Sequence, residues 1–305
     1  MIIIGAGSAG LSAGLYGARS GLKTLILEKQ IPGGATIESP LIENYPGSIS
    51  VSGQELIDKM IAHATKFGVK INQLEPVTEL DLKGEKKIVK TAKATYEASA
   101  LIITTGCHHR ELGVPGEKEY SGRGVSYCAL CDGAFFKGKK IIVVGGGNNA
   151  ATSALILAHL TPNVKLIHRR EGLRAEEILM EDLQKSKVEF IWNTEVKEIK
   201  GNKTVKSVTV INNKTGEQKE IEVDGVFVQV GEIPNSDFAK NAGVNVDDYG
   251  YIIVDLQQRT NIPGVYAAGD VTTNPVKQIG TAVGQAIVAA TDAFGYIRRP
   301  YYYKA

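Results

Sequence analysis

Cys128 and Cys131 stand three residues apart in CALCD, with Asp132 directly after. At that spacing two cysteines can close a disulfide when their segment opens a helix, and a helix N-terminus lowers the pKa of the leading thiolate and speeds exchange. The chemistry on offer is dithiol redox chemistry with a carboxyl at hand to handle a proton. Zinc is the rival, but the pair supplies two ligands where structural zinc takes four. Cys107, His108 and His109 could complete a set, yet no second C-x-x-C or spaced Cys/His pair exists, so no metal site is expected. Cys107 alone reads as a small buried apolar residue.

Two glycine patterns could hold phosphates. In the first, Gly5, Gly7 and Gly10 fill G-x-G-x-x-G. The first glycine permits the tight turn, the second lets a pyrophosphate approach the backbone, and the third lets helix and strand pack closely. The pyrophosphate then sits on the positive end of the following helix. Glu28, at the end of the next strand, is placed to accept hydrogen bonds from ribose hydroxyls, which favours an unphosphorylated ribose. In the second pattern Gly145, Gly147 and Ala150 occupy the same places, offset by 140 residues. That offset carries Glu28 onto His168, which opens HRREGLR with Arg169, Arg170 and Arg174. A guanidinium fork matches phosphate bidentately, so this end suits a 2′-phosphate; a solvated basic turn is the plainer alternative. Together the patterns imply one FAD and one NADPH.

The elements that must position these residues form a repeated βαβ unit. MIII reads as a buried strand, a helix runs to Arg19, and Lys23 to Leu27 is a second strand. The series returns with a strand at Lys140–Val144, a helix at Asn148–Leu160 and a strand at Val164–His168. Between them, residues 88–104 read as short β-rich runs. Leu112–Glu117 and Gly231–Phe238 have linker composition. At 305 residues about two domains are expected. The net charge of +2, from 35 basic and 33 acidic residues mixed along the chain, gives no extended field for nucleic acid. The uncharged opening is rich in glycine and lacks a basic lead, so neither an export signal nor a membrane span is expected. Three cysteines cannot build a disulfide framework, which points to a reducing, cytoplasmic setting.

Over nearly its whole length the chain resembles the low-molecular-weight thioredoxin reductases, class II of the pyridine nucleotide-disulfide oxidoreductases. GAGSAG, IENYPG, TTGCHHR, GVPGE, YCALCDGAFFKGK, GGGNNA, HRREGLR, YAAGDV and KQIGTAVGQA carry the resemblance, the cysteine segment and HRRxxxR being the most specific. It implies an α/β fold of two Rossmann-like FAD/NAD(P)-binding domains, the second inserted into the first: residues 1–114 with 244–305, and 115–243. It also implies cofactor contacts at Ser8, Ala9, Gly33, Gly34, Thr105 and Gly106. Gly269 and Asp270 would close on the ribitol, while Asn44, Lys277, Gln278 and Ile279 would approach the flavin. Asn148 and Asn149 would join the second loop. The redox pair maps onto Cys128 and Cys131, the proton donor onto Asp132, and Cys131 is expected to face the flavin. A homodimer and a thioredoxin or glutaredoxin-like partner follow from the same resemblance.

The implied activity is thioredoxin-disulfide reduction, with hydride passing from NADPH to FAD, electrons going on to the disulfide, and domain rotation between the half-reactions. NADH, ferredoxin or deazaflavin as donor, and a non-catalytic redox sensor, are the alternatives. Four residues depart from the family pattern: Ala35 replaces a usual Gln, Lys277 a common Arg, and Thr152 and Ser153 a pair of acids. The first strand also starts at Met1, which suggests that some N-terminal residues are absent.

Overall fold

The computed structural model describes residues 1–39 and 41–299. The chain divides into two compact units, residues 1–108 with the described residues from 233 onward, and residues 109–232.

The first unit is built on a parallel sheet in the order β18 (Val265–Ala267), β7 (Leu101–Ile103), β1 (Ile2–Ile4), β2 (Leu25–Leu27), β3 (Lys70–Asn72). Strands β18, β7, β1 and β2 are apolar without alternation because both faces are covered, while the edge strand β3 is partly exposed. Ile3, Ile26, Ile102 and Tyr266 point to one side, where α1 (Ser8–Arg19), α2 (Gly53–Lys66) and α7 (Ile279–Arg298) pack. Their neighbours Ile2, Ile4, Leu101 and Ile103 point to the other, onto an antiparallel meander of β4 (Val77–Asp81), β5 (Lys87–Thr91) and β6 (Thr95–Ala98). On α7 the buried face is Ala282, Ala286, Ala289, Ala290 and Ala293, a helical spacing of small residues that lets α1 come close.

The second unit repeats the plan. Its parallel sheet runs β12 (Glu189–Ile191), β11 (Val164–Ile167), β10 (Ile141–Gly145), β16 (Gly225–Gln229), β9 (Val125–Ser126). Ile141 and Val143 face α3 (Ala129–Asp132), α4 (Asn148–Ala158) and α5 (Glu177–Lys185). Ile142 and Val144 face a second meander of β13 (Thr194–Gly201), β14 (Val205–Asn212) and β15 (Gln218–Glu222).

The chain passes between units at 108/109 and 232/233; the first crossing comes before the Leu112–Glu117 stretch, and the second falls within Gly231–Phe238. The reason is packing. Leu112 and Val114 lie against the second unit's core, and the buried Glu117 carboxylate accepts the N–H groups of Leu112 and Gly113 at 2.9 and 2.8 Å. After the return, Pro234 closes the short strand β17 (Glu232–Pro234), paired with β8 (Cys107–His109), and Ala239 of α6 (Asp237–Asn241) is fully buried in the first unit. Among the described residues no helix is long and apolar enough to cross a membrane.

Candidate active site

In the first unit the turn between β1 and α1 closes around glycine. Gly5 has φ +105°, and a Cβ on Gly10 would lie 1.8 Å from the Gly5 carbonyl oxygen. Gly7, the N-cap of α1, is different: a Cβ there would meet only Gly33 O and Gly34 Cα, both at 3.9 Å. No side chain caps the helix, so its first N–H groups are left for an anion. Gly33 and Gly34, at φ +140° and +56°, lie alongside Gly7. Ser8 shares a 2.7 Å hydrogen bond with Thr36, Ala9 is buried, and a Cβ on Gly269 would meet Ala9 Cβ at 3.1 Å.

Glu28 is buried and already engaged, its carboxylate accepting the Ala6 N–H at 2.7 Å and the Gln30 N–H at 2.9 Å. It braces the glycine turn. About two of a carboxylate's four lone-pair sites stay open for ribose hydroxyls. Thr105 and Gly106 are held by Asn235, which sequence patterns did not single out. Thr105 Oγ1 donates to the Asn235 carbonyl at 2.7 Å, and the Asn235 N–H donates to the Gly106 carbonyl at 3.0 Å.

Gly269 takes φ +81°, and its N–H donates to Gln285 Oε1 at 2.7 Å. The Asp270 carbonyl accepts Cys107 Sγ–H at 2.8 Å and Lys277 Nζ at 3.0 Å. Lys277 also donates to the Thr272 carbonyl and lies 4.3 Å from the Tyr251 ring centroid, so its ammonium fastens this turn. Gln278 caps α7 and accepts from Asn44 Nδ2 at 3.1 Å, which places Asn44 beside Ile279, the first residue of the helix. Ala35 is exposed and brings no polar group.

In the second unit a Cβ on Gly145 would strike Gln229 O at 2.3 Å, whereas Gly147, the uncapped N-cap of α4, has nothing within 4 Å. Ala150 is fully buried beside Gly145. Asn148 is tied to Glu176 through Nδ2 to Oε1 at 2.8 Å and Glu176 N–H to Oδ1 at 2.9 Å, and the Arg174 N–H donates to the Gly146 carbonyl at 2.7 Å. Asn149 and Thr152 are exposed and Ser153 is buried. The loops of Gly145–Gly147 and Arg169–Glu176 are thereby joined. Arg169, Arg170 and Arg174 are exposed, and none pairs with a carboxylate among the described residues.

His168 behaves unlike its neighbours. Its ring lies flat against Gly146, where a Cβ would meet ring atoms at 2.0–2.6 Å, and Nε2 is buried with no hydrogen-bond partner. Burial first, and then the surrounding arginines, hold its pKa below the usual imidazole range. It is neutral at pH 7 and adds no charge to the arginine cluster.

Cys128 and Cys131 form a disulfide with Cα atoms 5.3 Å apart. Cys128 is half-buried and N-caps α3, its Sγ accepting the Cys131 N–H at 3.1 Å; Cys131 is exposed. Asp132 ends the helix with its carboxyl turned to Ser126, whose Oγ lies 2.6 Å from Oδ2. Burial pushes the Asp132 pKa up, and the bond from Ser126 pulls it partly back. Tyr127 stacks on His109 at 4.9 Å and donates to Glu117 at 3.1 Å. Among the described residues no group of three or more His, Cys, Asp or Glu is gathered as a metal would require.

The buried neutral His168 makes stability depend on pH. The unfolded chain takes up this proton near pH 6.5 and the folded chain only lower, so His168 costs stability as the pH falls below about 6.5. Denaturant unfolding at about pH 7.5 and 5.5 should therefore show a larger loss in the unmodified protein than in His168→Gln. Equal losses would contradict the assignment.

A pyridine nucleotide-disulphide oxidoreductase family model matches residues 1–286. A thioredoxin reductase from Listeria monocytogenes is 45% identical over 299 residues, 97% of this chain and 93% of that protein. The crystal structure of a thioredoxin reductase from Streptococcus pyogenes is 43% identical with a TM-score of 0.93, covering 98% of both chains. One from Lactococcus lactis, in a form called the FR conformation, is also 43% identical, covering 98% of this chain and 99% of that one with a TM-score of 0.67. With its two glycine turns and its cysteine pair, the chain belongs to the pyridine nucleotide-disulphide oxidoreductase family.

Proposed function

We propose that this chain is an NADPH-dependent thioredoxin-disulfide reductase, with FAD held by the first unit and NADPH by the second, which delivers electrons through Cys128 and Cys131 to a thioredoxin or glutaredoxin-like protein. The observation that carries this is a disulfide built into the second glycine-turn unit beside a half-buried acid whose pKa is raised. The names of the relatives support the acceptor.

The residues fit the cofactors. Open space over Gly7 and Gly147 suits two pyrophosphates, Glu28 keeps acceptor sites for a ribose, and three unpaired arginines suit a 2′-phosphate. Lys277, Gln278, Ile279 and Asn44 would border the flavin, and Gly269 with Asp270 the ribitol. When bound, the flavin supplies a two-electron relay between nicotinamide and disulfide.

Two-electron reduction of Cys128–Cys131 breaks the S–S bond. One sulfur takes the Asp132 proton and the other remains a thiolate. Cys128 is placed to keep the charge, because its Sγ accepts the Cys131 N–H and a donor of that kind lowers a thiol pKa. The thiolate attacks the partner's disulfide, and the second thiol, losing its proton, resolves the mixed disulfide and leaves the partner as a dithiol. Rotation between the half-reactions belongs to the same proposal; two relatives of equal identity but unequal TM-score support a change of arrangement within the family. So do a homodimer and a cytoplasmic location, supported by family resemblance and by cysteine usage.

Arg169→Ala with Arg170→Ala should remove most of the preference for NADPH over NADH. A charge-assisted hydrogen bond is worth about 1.5–3 kcal/mol, roughly ten-fold or more in kcat/KM for each arginine. Equal efficiency with both coenzymes in the unmodified protein would overturn NADPH specificity. Asp132→Asn should keep bound FAD and the thermal midpoint while slowing turnover about 10²–10⁴-fold. Normal turnover with lowered stability would leave Asp132 a structural residue.

A further inference from the structure

The acid proposed above has a partner that the sequence did not mark. Ser126 ends β9, whose register Phe227↔Ser126 fixes it on the edge of the second unit's parallel sheet. It is 4% exposed. Three polar groups meet its hydroxyl: Asp132 Oδ2 at 2.6 Å, the Cys128 N–H at 3.1 Å, and the Cys128 carbonyl oxygen at 3.4 Å. We infer that Ser126 is the positioning residue for Asp132, a single hydroxyl that holds the carboxyl in place in both of its charge states, and does so from the backbone of the redox cysteine.

A serine oxygen carries one proton and two lone pairs. With Asp132 ionised, Ser126 donates to Oδ2 and accepts the Cys128 N–H. With Asp132 protonated, the acid donates along the same line to Oγ, which still accepts the Cys128 N–H on its other lone pair, and the hydroxyl proton turns to the Cys128 carbonyl. No heavy atom has to move. In a buried place an acid that lost its partner on changing charge would leave a polar group unsatisfied, at a cost that would slow the change. Ser126 removes that cost in both directions, and it ties the carboxyl to the residue whose sulfur changes state.

The surroundings make this control simple. The helix α4 and the turn Gly133–Phe136, which pack against α3, carry no ionisable side chain, and neither does β9. On α3 itself the ionisable groups are Asp132 and the cysteine sulfurs once reduced. Burial raises the carboxyl and Ser126 lowers it. Loss of the hydroxyl therefore moves Asp132 further up.

The inference rests on Asp132 being the proton donor, and the test separates the two. Holoenzyme carrying Ser126→Ala, Ser126→Thr or Asp132→Asn is assayed for turnover against pH with NADPH and thioredoxin. The pH dependence of iodoacetamide alkylation is followed in parallel on dithiothreitol-reduced protein, which needs neither coenzyme nor partner. Activity that requires the protonated acid fails on the alkaline side. Ser126→Ala should move that limb up by about one pH unit, the scale of one charge-assisted hydrogen bond, and shift the alkylation profile with it. Ser126→Thr, which keeps the hydroxyl, should stay with the unmodified enzyme, and Ser126→Gly carries the same expectation as alanine should the alanine variant not fold. A folded variant without the hydroxyl, lowered in thermal midpoint but unshifted in both profiles, would reduce Ser126 to a structural role. An alkaline limb unchanged in Asp132→Asn would instead remove Asp132 as the donor.

Discussion

A Cβ on Gly10 would stand 1.8 Å from the Gly5 carbonyl oxygen, and the first unit is organised around the close approach that this forbids to any other residue. Because α1 starts within contact of the end of β1, its N–H groups converge on one point beside Gly7. The surrounding chain is drawn to the same turn. Glu28 reaches it from β2, Thr104 hydrogen-bonds the carbonyls of Ile4 and Gly5, and Gly33 pairs with Gly7. One steric constraint thus sets the open glycine turn, the acid that braces it and the loop above them.

The second unit meets the same constraint with different side chains, and the difference separates the two sites chemically. Ala150 replaces the third glycine, where helix and strand leave room for one methyl. In place of the Glu28 carboxyl there is a neutral His168 packed on Gly146. A carboxylate there would offset the positive field of the arginines; a buried neutral imidazole fills the space and leaves that field intact. Two tethers hold their loop to the glycine turn, Arg174 N–H to Gly146 and Asn148 to Glu176. The basic cluster is positioned by these two tethers, one backbone and one through the Asn148 side chain, and left free at its guanidinium ends.

Much of this was legible in the sequence because it is local. The glycines, the cysteine spacing and the apolar runs of β1 and β10 are patterns within a dozen residues, and the 140-residue offset aligned His168 with Glu28. What the offset could not tell is that His168 is buried and uncharged, since that depends on Gly146 having no side chain. Gly231–Phe238 reads as a linker from its composition and does contain the crossing at 232/233, but it also holds β17 and starts α6, because pairing with β8 outweighs local propensity. Asn235 bracing Thr105, Gln285 bracing Gly269 and Lys277 reaching Asp270 join segments or turns whose contacts leave no periodic trace. Ser126 lay six residues from Asp132 and still gave no signal, because its position depends on the edge of a sheet.

The central claim is that the disulfide Cys128–Cys131 receives electrons from the bound flavin. Anaerobic titration of the FAD-loaded protein with NADPH, followed by flavin absorbance, tests it most directly. A flavin in exchange with a disulfide stores two electron pairs, so bleaching should need about two equivalents per chain, falling to about one in Cys128→Ser combined with Cys131→Ser. An endpoint of about one equivalent in both proteins would mean that the cysteines are not in the electron path, and would contradict the account.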